Sequence, residues 1–503
     1  MDFLVGIDEL SSQKLSNLAG SFKPHLRISD ETSRRVKQSH TSFQNAKGQG
    51  QRIYGVTTGY GANVRENLDS TVADGLQSRL ARYLDCGTGE ELAAEECRAA
   101  LIARTHILAM GYSGISPEVL IHLVTAANSR LAPCILRYGS LGASGDLVSL
   151  APLARMLMGE PVEVWDGDSR AMAGPTLEKH GIARLVPHGR DTLALINGLS
   201  CVTALAALEV TKIKKLTQWS LAALAANHCA LAGDRGSYDP HVNAPPVRNF
   251  KGQAFVAHQL LSYLSESDSP PRGPTRPLQD QYSLRCIPQA LGPAWEMLEQ
   301  SEAWIDAELQ SVSDNPIVLS EGQLFNGGNF YGGYITAAAD NLALALTRFA
   351  DCLERQSFLL TDGMHGLPTN LAANESGKSF LHGLKGLHQI CSALTMDVMR
   401  LSLPAAPFTR SSESHNQDIV SNAMNAVTRL KDLRKVFGHL VSASTLMSAR
   451  ALQLSGVTNL NPLLAKWHAK VTPFLGDLSD DRAFRQELKM LEAMLVSKGP
   501  HLD

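Results

Sequence analysis

From Thr192 to Leu208 the chain carries no charged residue. A helix that is apolar on every side must be covered on every side. The stretch is short for a bilayer span, and Asn197, Gly198, Ser200 and Thr203 interrupt its apolar surface. It reads as a buried central helix, which needs other long helices around it. Ala- and Leu-rich segments supply them, and helices are expected at about 191–232, 279–310, 334–360, 376–402 and 416–455. The composition agrees: 44% hydrophobic but only 6% aromatic residues suit packed helices better than a β-sandwich. The expected fold class is mainly α. Long helices form a central bundle over 191–460, after a smaller mixed N-terminal region over 1–190 and before a helical tail over 461–503.

The first 190 residues have a shorter rhythm. Ser29-Asp30-Glu31-Thr32 is a helix start. Helices are expected at 68–86, 91–111, 116–129 and 147–158, followed by a short, turn-rich surface element from Gly159 to about Gly189. Between the first two long helices lies a polar, proline-bearing crossover. It runs from Gly236-Ser237-Tyr238-Asp239-Pro240 to Arg272-Gly273-Pro274, with 270–277 as a connector. No repeat period is visible.

Several classes are disfavoured at once. A net charge of -3 gives no reason to expect a nucleic-acid or membrane-surface partner. The eight cysteines are scattered, without a C-x-x-C pair, so neither a metal site nor a disulfide framework is expected. Free thiols and a start without a basic, apolar leader (Met1-Asp2-Phe3-Leu4-Val5-Gly6) lead to the expectation of a cytoplasmic protein.

Chemistry gathers at Gly139-Ser140-Leu141-Gly142-Ala143-Ser144-Gly145-Asp146-Leu147. A turn so poor in side chains lets backbone atoms approach closely. If the chain bends sharply there, the amide nitrogen of Gly145 can attack the carbonyl carbon of Ala143. Loss of water closes a five-membered ring, and loss of the Ser144 hydroxyl leaves an exocyclic methylene. A bare Ala-Ser-Gly is equally a flexible turn. Tyr54-Gly55-Val56-Thr57-Thr58-Gly59-Tyr60-Gly61 reads as a loop, either mobile at the surface or a lid that carries the Tyr54 hydroxyl over a substrate. Asn197 brings an amide into an apolar helix and must find partners there. Tyr282 and Arg285, three apart, share a helix face, and a guanidinium can grip a carboxylate with two hydrogen bonds.

The run from Gly139 to Ala154 closely resembles the signature of the aromatic amino-acid lyases, the histidine, phenylalanine and tyrosine ammonia-lyases and their aminomutase relatives. The resemblance continues in order from about Tyr54 to about Ser421. It implies a 4-methylidene-imidazol-5-one electrophile formed autocatalytically from Ala143, Ser144 and Gly145, with no metal. It implies that Tyr54 is the base that takes the β-proton, and it counts Tyr282 among the catalytic residues. Gln279 and Arg285 carry over from a Gln-Asp-x-Tyr-x-x-Arg motif, with Arg285 on the substrate carboxylate. Asn197 is assigned to the cofactor and carboxylate, Asn315 to the carboxylate, Phe330 to the cofactor and ring, and Glu413 to the amine. Lys385 and Gln417 complete the set.

Tyr83-Leu84 occupies the pair that differs between substrate types. Histidine-type members resemble Ser-His there and carry Glu where this chain has Gln417. Both positions favour phenylalanine or tyrosine over histidine, giving cinnamate or coumarate plus ammonia. An aromatic 2,3-aminomutase shares every motif, and a non-enzymatic helical scaffold is the remaining alternative. Tyr60 and Gln281 depart from the commoner Phe and Arg. Family members are homotetramers with shared active sites, which the resemblance implies here. A phenol titrates near ~10, so Tyr54 as base needs nearby positive potential, expected from Arg285, Lys385 and helix N-termini.

Overall fold

The computed structural model describes residues 2–66, 68, 70–270, 277–372 and 381–500, with the backbone alone at 70–74. It is mainly helical, with only short strands. The chain divides into two compact units, each drawn from three segments: 1–208, 302–339 and 404–428 in unit 1, and 209–301, 340–403 and 429–503 in unit 2. Four of the five divisions fall inside long helices, Ser200–Ala230, Ile287–Leu309, Gly333–Thr361 and Ala423–Leu454, and the fifth lies between Leu403 and Pro404, after Lys385–Arg400.

Unit 1 holds the helices Asp30–Gly48, Ser70–Leu84, Ala94–Ala109, Pro117–Asn128 and Leu147–Leu157. Ser29 caps the first of them, its hydroxyl accepting from Thr32 N at 3.0 Å. Ala94–Ala109 is buried on all sides although it contains Arg98, Arg104 and His106. Thr88–Glu91 pairs antiparallel with Leu136–Tyr138, so the helix expected from 91 begins only after a strand. The Gly159–Gly189 excursion is more built than expected. Glu163–Asp166 and Ser169–Met172 form a hairpin that adds to Leu131–Pro133 as a three-stranded sheet. Val164, Ala173 and Leu177 are buried beneath it.

Unit 2 carries the long-helix core, with Leu216, Trp219, Leu224, Phe349, Leu353, Phe437 and Leu446 buried. Its main internal charge is paired: Arg434 Nε lies 2.7 Å from Glu209 Oε2, both buried. Burial alone would raise the Glu209 carboxyl, yet Lys212 and Arg434 hold it below its ordinary range. Within the crossover, Lys251–Leu264 is a full helix that the surrounding prolines and polar residues concealed. The connector 271–276 and the expected helix start at 376–380 lie outside the described residues; the helix is described from Lys385 to Arg400.

Two expected helices are broken. The segment from 191 divides into Asp191–Ile196 and Ser200–Ala230, with Asn197 extended and Gly198 at φ +153°. The segment from 279 divides into Tyr282–Arg285 and Ile287–Leu309, which leaves Gln279 ahead of both. Ala423–Leu454 starts later than expected because Glu413, Ser414, His415 and Asn422 all have positive φ. No helix among the described residues is long and apolar enough to cross a membrane.

Candidate active site

The 139–146 loop joins the Leu136–Tyr138 strand to the Leu147–Leu157 helix. It is locked against the break at Asn197-Gly198. Asp146 N donates to Gly198 O at 2.7 Å. Gly145 has φ +73°, and a Cβ there would lie 2.3 Å from Gly198 O, so only glycine fits. Ser140 Oγ donates to Gly145 O at 3.2 Å, and Ser421 Oγ donates to Gly142 O at 2.9 Å. Asp146 Oδ2 accepts from Val202 N at 2.8 Å and so caps the Ser200–Ala230 helix from a distant part of the chain. Burial pushes the Asp146 carboxyl up to about 7, against the Val202 and Cys201 amides.

Buried charge supports the break. Arg104 Nη2 donates to Asn197 O at 2.8 Å and also to Ala194 O, and lies 4.0 Å from Asp314 Oδ2. Arg190 Nη2 donates to Asp314 Oδ1 and to Asn315 O, each at 3.0 Å. Arg104, Arg190 and Asp314 are all fully buried. Such a pair is costly to form and more costly to halve. It fixes the backbone that presents Asn197 and Asn315.

A cavity of about 900 Å³ opens in unit 1 between the tyrosine loop, the 139–148 turn and the 412–417 loop. Tyr54, Tyr83, Leu84, Ala143, Ser144, Gly145, Asn197, Asn315, Phe330, Glu413 and Gln417 all line it. Gln417 Nε2 donates to Ser144 Oγ at 2.8 Å. Asn197 Nδ2 donates to Asn315 O at 3.0 Å, while its buried Oδ1 has no partner among the described residues. Glu413 Oε1 accepts from Ala62 N at 2.8 Å and Oε2 from Asn416 Nδ2 at 2.7 Å. Leu76, Leu80, Leu84, Leu147 and Val148 give the cavity its apolar wall.

The Tyr54 hydroxyl accepts from Gly61 N at 2.9 Å. Burial raises its pKa, the Gly61 N–H opposes this, and the Glu413 charge adds to the rise. Among the described residues the cavity lining in unit 1 includes Glu66 and Glu413 but no Lys or Arg. Tyr282, Arg285, Gln279 and Lys385 belong to unit 2. Tyr282 is 72% exposed, and the Arg285 guanidinium sits over its ring at 4.7 Å. Lys385 opens its helix, where a cation opposes the helix dipole.

The residues suit a ring-forming turn. Gly145 admits no Cβ, Ala143 is small and only 8% exposed, Ser144 brings its β-hydroxyl to Gln417, and Asn197 Oδ1 is an uncommitted acceptor in the same cavity. Sequence reasoning missed the supports: Ser140, Gln77, Arg104, Arg190 and Asp314. A signal existed for Arg104, a charge within Ala99–Ala109, a run otherwise mostly of Ala, Leu and Ile.

The aromatic amino acid lyase family model matches residues 10–473. The chain is similar to a histidine ammonia-lyase of Geobacillus thermodenitrificans, 31% identical over 93% of this chain and 92% of that protein. Among solved structures it is similar to the tyrosine aminomutase of Streptomyces globisporus, with TM-score 0.92, 26% identity and coverage of 99% and 97% of the two chains. The Pantoea agglomerans phenylalanine aminomutase gives TM-score 0.92, 25% identity and 99% coverage of both chains. With the family model spanning the turn, the tyrosine loop and every other candidate position, the chain belongs to the aromatic amino acid lyases.

Proposed function

We propose that this chain is an ammonia-lyase for L-phenylalanine or L-tyrosine, releasing cinnamate or coumarate, with its electrophile made from Ala143-Ser144-Gly145. The observation that carries the reading is the convergence of the Tyr54 hydroxyl, the Ala143-Ser144-Gly145 turn and the Asn197 and Gln417 amides on one cavity. When formed, the methylidene-imidazolone supplies the electrophile that activates the amino group for departure. Gln417 holds the turn through Ser144 Oγ before dehydration removes that atom, Asn197 lines the cavity beside the turn, and Glu413 receives the amine in place of the Ala62 amide it now binds. Tyr54 takes the β-proton. The leucine wall with Tyr83 favours a phenyl or phenol ring over an imidazole, whose ring nitrogens would lack partners against Leu84.

A lining without Lys or Arg leaves the substrate carboxylate and the Tyr54 phenolate without a cation. Tyr282, Arg285 and Lys385 of a second copy of this chain fill that need in a homotetramer with shared sites. The exposure of Tyr282, and of Leu278, Met364 and Met396 in unit 2, supports such an assembly. We place the enzyme in the cytoplasm.

Two further readings have specific support. The histidine ammonia-lyases among the curated relatives favour histidine as substrate. The aminomutases among the solved structures favour return of the amine to the β-carbon. Incubation with L-tyrosine, L-phenylalanine and L-histidine separately, following ammonia, the unsaturated acid and β-amino acid, separates all three. Ammonia with coumarate or cinnamate is the expected outcome; urocanate or a β-amino acid as main product would replace it.

A further inference from the structure

We infer that Tyr60 is a positioning residue for Tyr54, acting through a hydrogen-bonded anchor that ties the tyrosine loop to buried Gln77. The inference rests on the reading of Tyr54 as the base. The Tyr60 ring meets the Tyr54 ring edge-on, with centroids 6.2 Å apart and planes at 78°. Its other side is held by Gly55, where a Cβ would fall 2.4 Å from the Tyr60 ring. Its hydroxyl accepts from Gln77 Nε2 at 3.1 Å. Gln77 is only 1% exposed, and its Oε1 accepts from Thr192 N at 3.1 Å. One amide therefore joins the loop to the first turn of Asp191–Ile196, the helix that ends at the Asn197 break.

The two tyrosines of the loop have different anchors. Among the described residues the Tyr54 hydroxyl is held by the Gly61 amide of its own loop alone, and it must remain free to exchange a proton with substrate. Such a hydroxyl needs its ring fixed by other means. Tyr60 supplies them, packing against Tyr54 while its own hydroxyl is committed to Gln77. A phenylalanine at 60 would keep the ring contact but leave the buried Gln77 Nε2 without this partner. The Tyr54 ring would then sample several positions, and small misplacements of a reacting group reduce turnover steeply.

The test compares Tyr60→Phe, Gln77→Met and the double variant with wild type in the assembled enzyme. Steady-state kinetics on the best substrate of the panel are read beside the near-ultraviolet cofactor band and the amide exchange of residues 54–66. Each single variant is expected to lower kcat about tenfold, with KM within about twofold and the band at full strength. The double variant should fall no further than Gln77→Met alone, because that change already removes the Tyr60 bond along with the Thr192 bond. Amide exchange should accelerate in the tyrosine loop and stay unchanged in Ala94–Ala109. Wild-type kcat in Tyr60→Phe, losses that multiply, or a loss confined to KM or to the band would overturn the inference. If wild type releases no product from any substrate, the reading of the reaction fails, while the exchange measurement still decides the anchor: unchanged exchange in Tyr60→Phe rejects it.

Discussion

The turn at 139–146 and the long-helix core of unit 2 support their buried polar groups by different means, one from distant residues and the other largely from the local helix backbone. In the helices many hydroxyls bond the preceding turn of their own backbone: Ser220, Ser357 and Ser442 donate to the carbonyls of Leu216, Leu353 and Gly438, each at 2.8 Å. Among the buried charges there, Arg434 is paired with Glu209. At the turn the backbone is irregular, glycines occupy positive φ, and support comes from residues far away in sequence, Asp146 on Val202 and Arg104 on Asn197. There an acceptor, Asn197 Oδ1, is left over. Glu413, Ser414 and His415 hold three successive left-handed conformations beside the same cavity, each costing roughly 1–2 kcal/mol. Regular packing serves stability; irregular, strained backbone persists where chemistry is presented. The two should therefore respond differently to substitution.

Gly145→Ala gives the largest expected effect. The added methyl meets Gly198 O at 2.3 Å in a conformation that L side chains rarely adopt, so the turn must leave the Asn197 break. Turnover should drop at least ~100-fold, since reacting groups tolerate little misplacement. Normal kcat in this variant would show that the turn need not be tight. Arg434→Met is the contrasting case in unit 2. It leaves buried Glu209 with Lys212, 3.4 Å away, in place of the closer guanidinium, and chemical denaturation should read a loss of about 3 kcal/mol, the low end of the range for halving a buried pair, while kcat per folded enzyme stays at the wild-type level. A fall in kcat without a stability loss would erase the distinction between the regions.

Glu308 tests the same contrast through pH. Burial, with the Asp146 charge, pushes its carboxyl from 4.5 up to about 7. The folded chain then binds more protons than the unfolded chain between those values, so stability is greatest below that window and declines as pH rises through it. Glu308→Gln should lose less stability than wild type between pH 5 and pH 8, by an amount on the order of 1 kcal/mol. Urea midpoints at the two pH values measure it, and parallel declines in the two proteins would reject the assignment.

What could be read in advance follows the same division. Gly333–Thr361 is legible because its apolar residues recur with the helical period over a long span. The break at Asn197-Gly198 is not. Those two residues in an apolar run cost a helix only about 1 kcal/mol or less each. What fixes the break is tertiary, the Gly198 carbonyl taken by Asp146 N and the Asn197 carbonyl taken by Arg104. Lys251–Leu264 was hidden because prolines on either side read as crossover. The cavity residues Tyr54, Ser144, Asn197, Glu413 and Gln417 came from a family-like motif order, and unit 1 does bring them together. Gln77 and Asp314 carried no local signal, since their roles depend on partners that include Thr192 and Arg190, far away in sequence.

The claim on which the rest depends is that Ala143-Ser144-Gly145 becomes a dehydrated ring. The intact mass of the purified native chain, compared with that of Ser144→Ala, tests it most directly. The account predicts a native mass below the sequence value by two water molecules, and a variant mass that shows no such deficit. A native chain at its full sequence mass, while still turning over substrate, would contradict it.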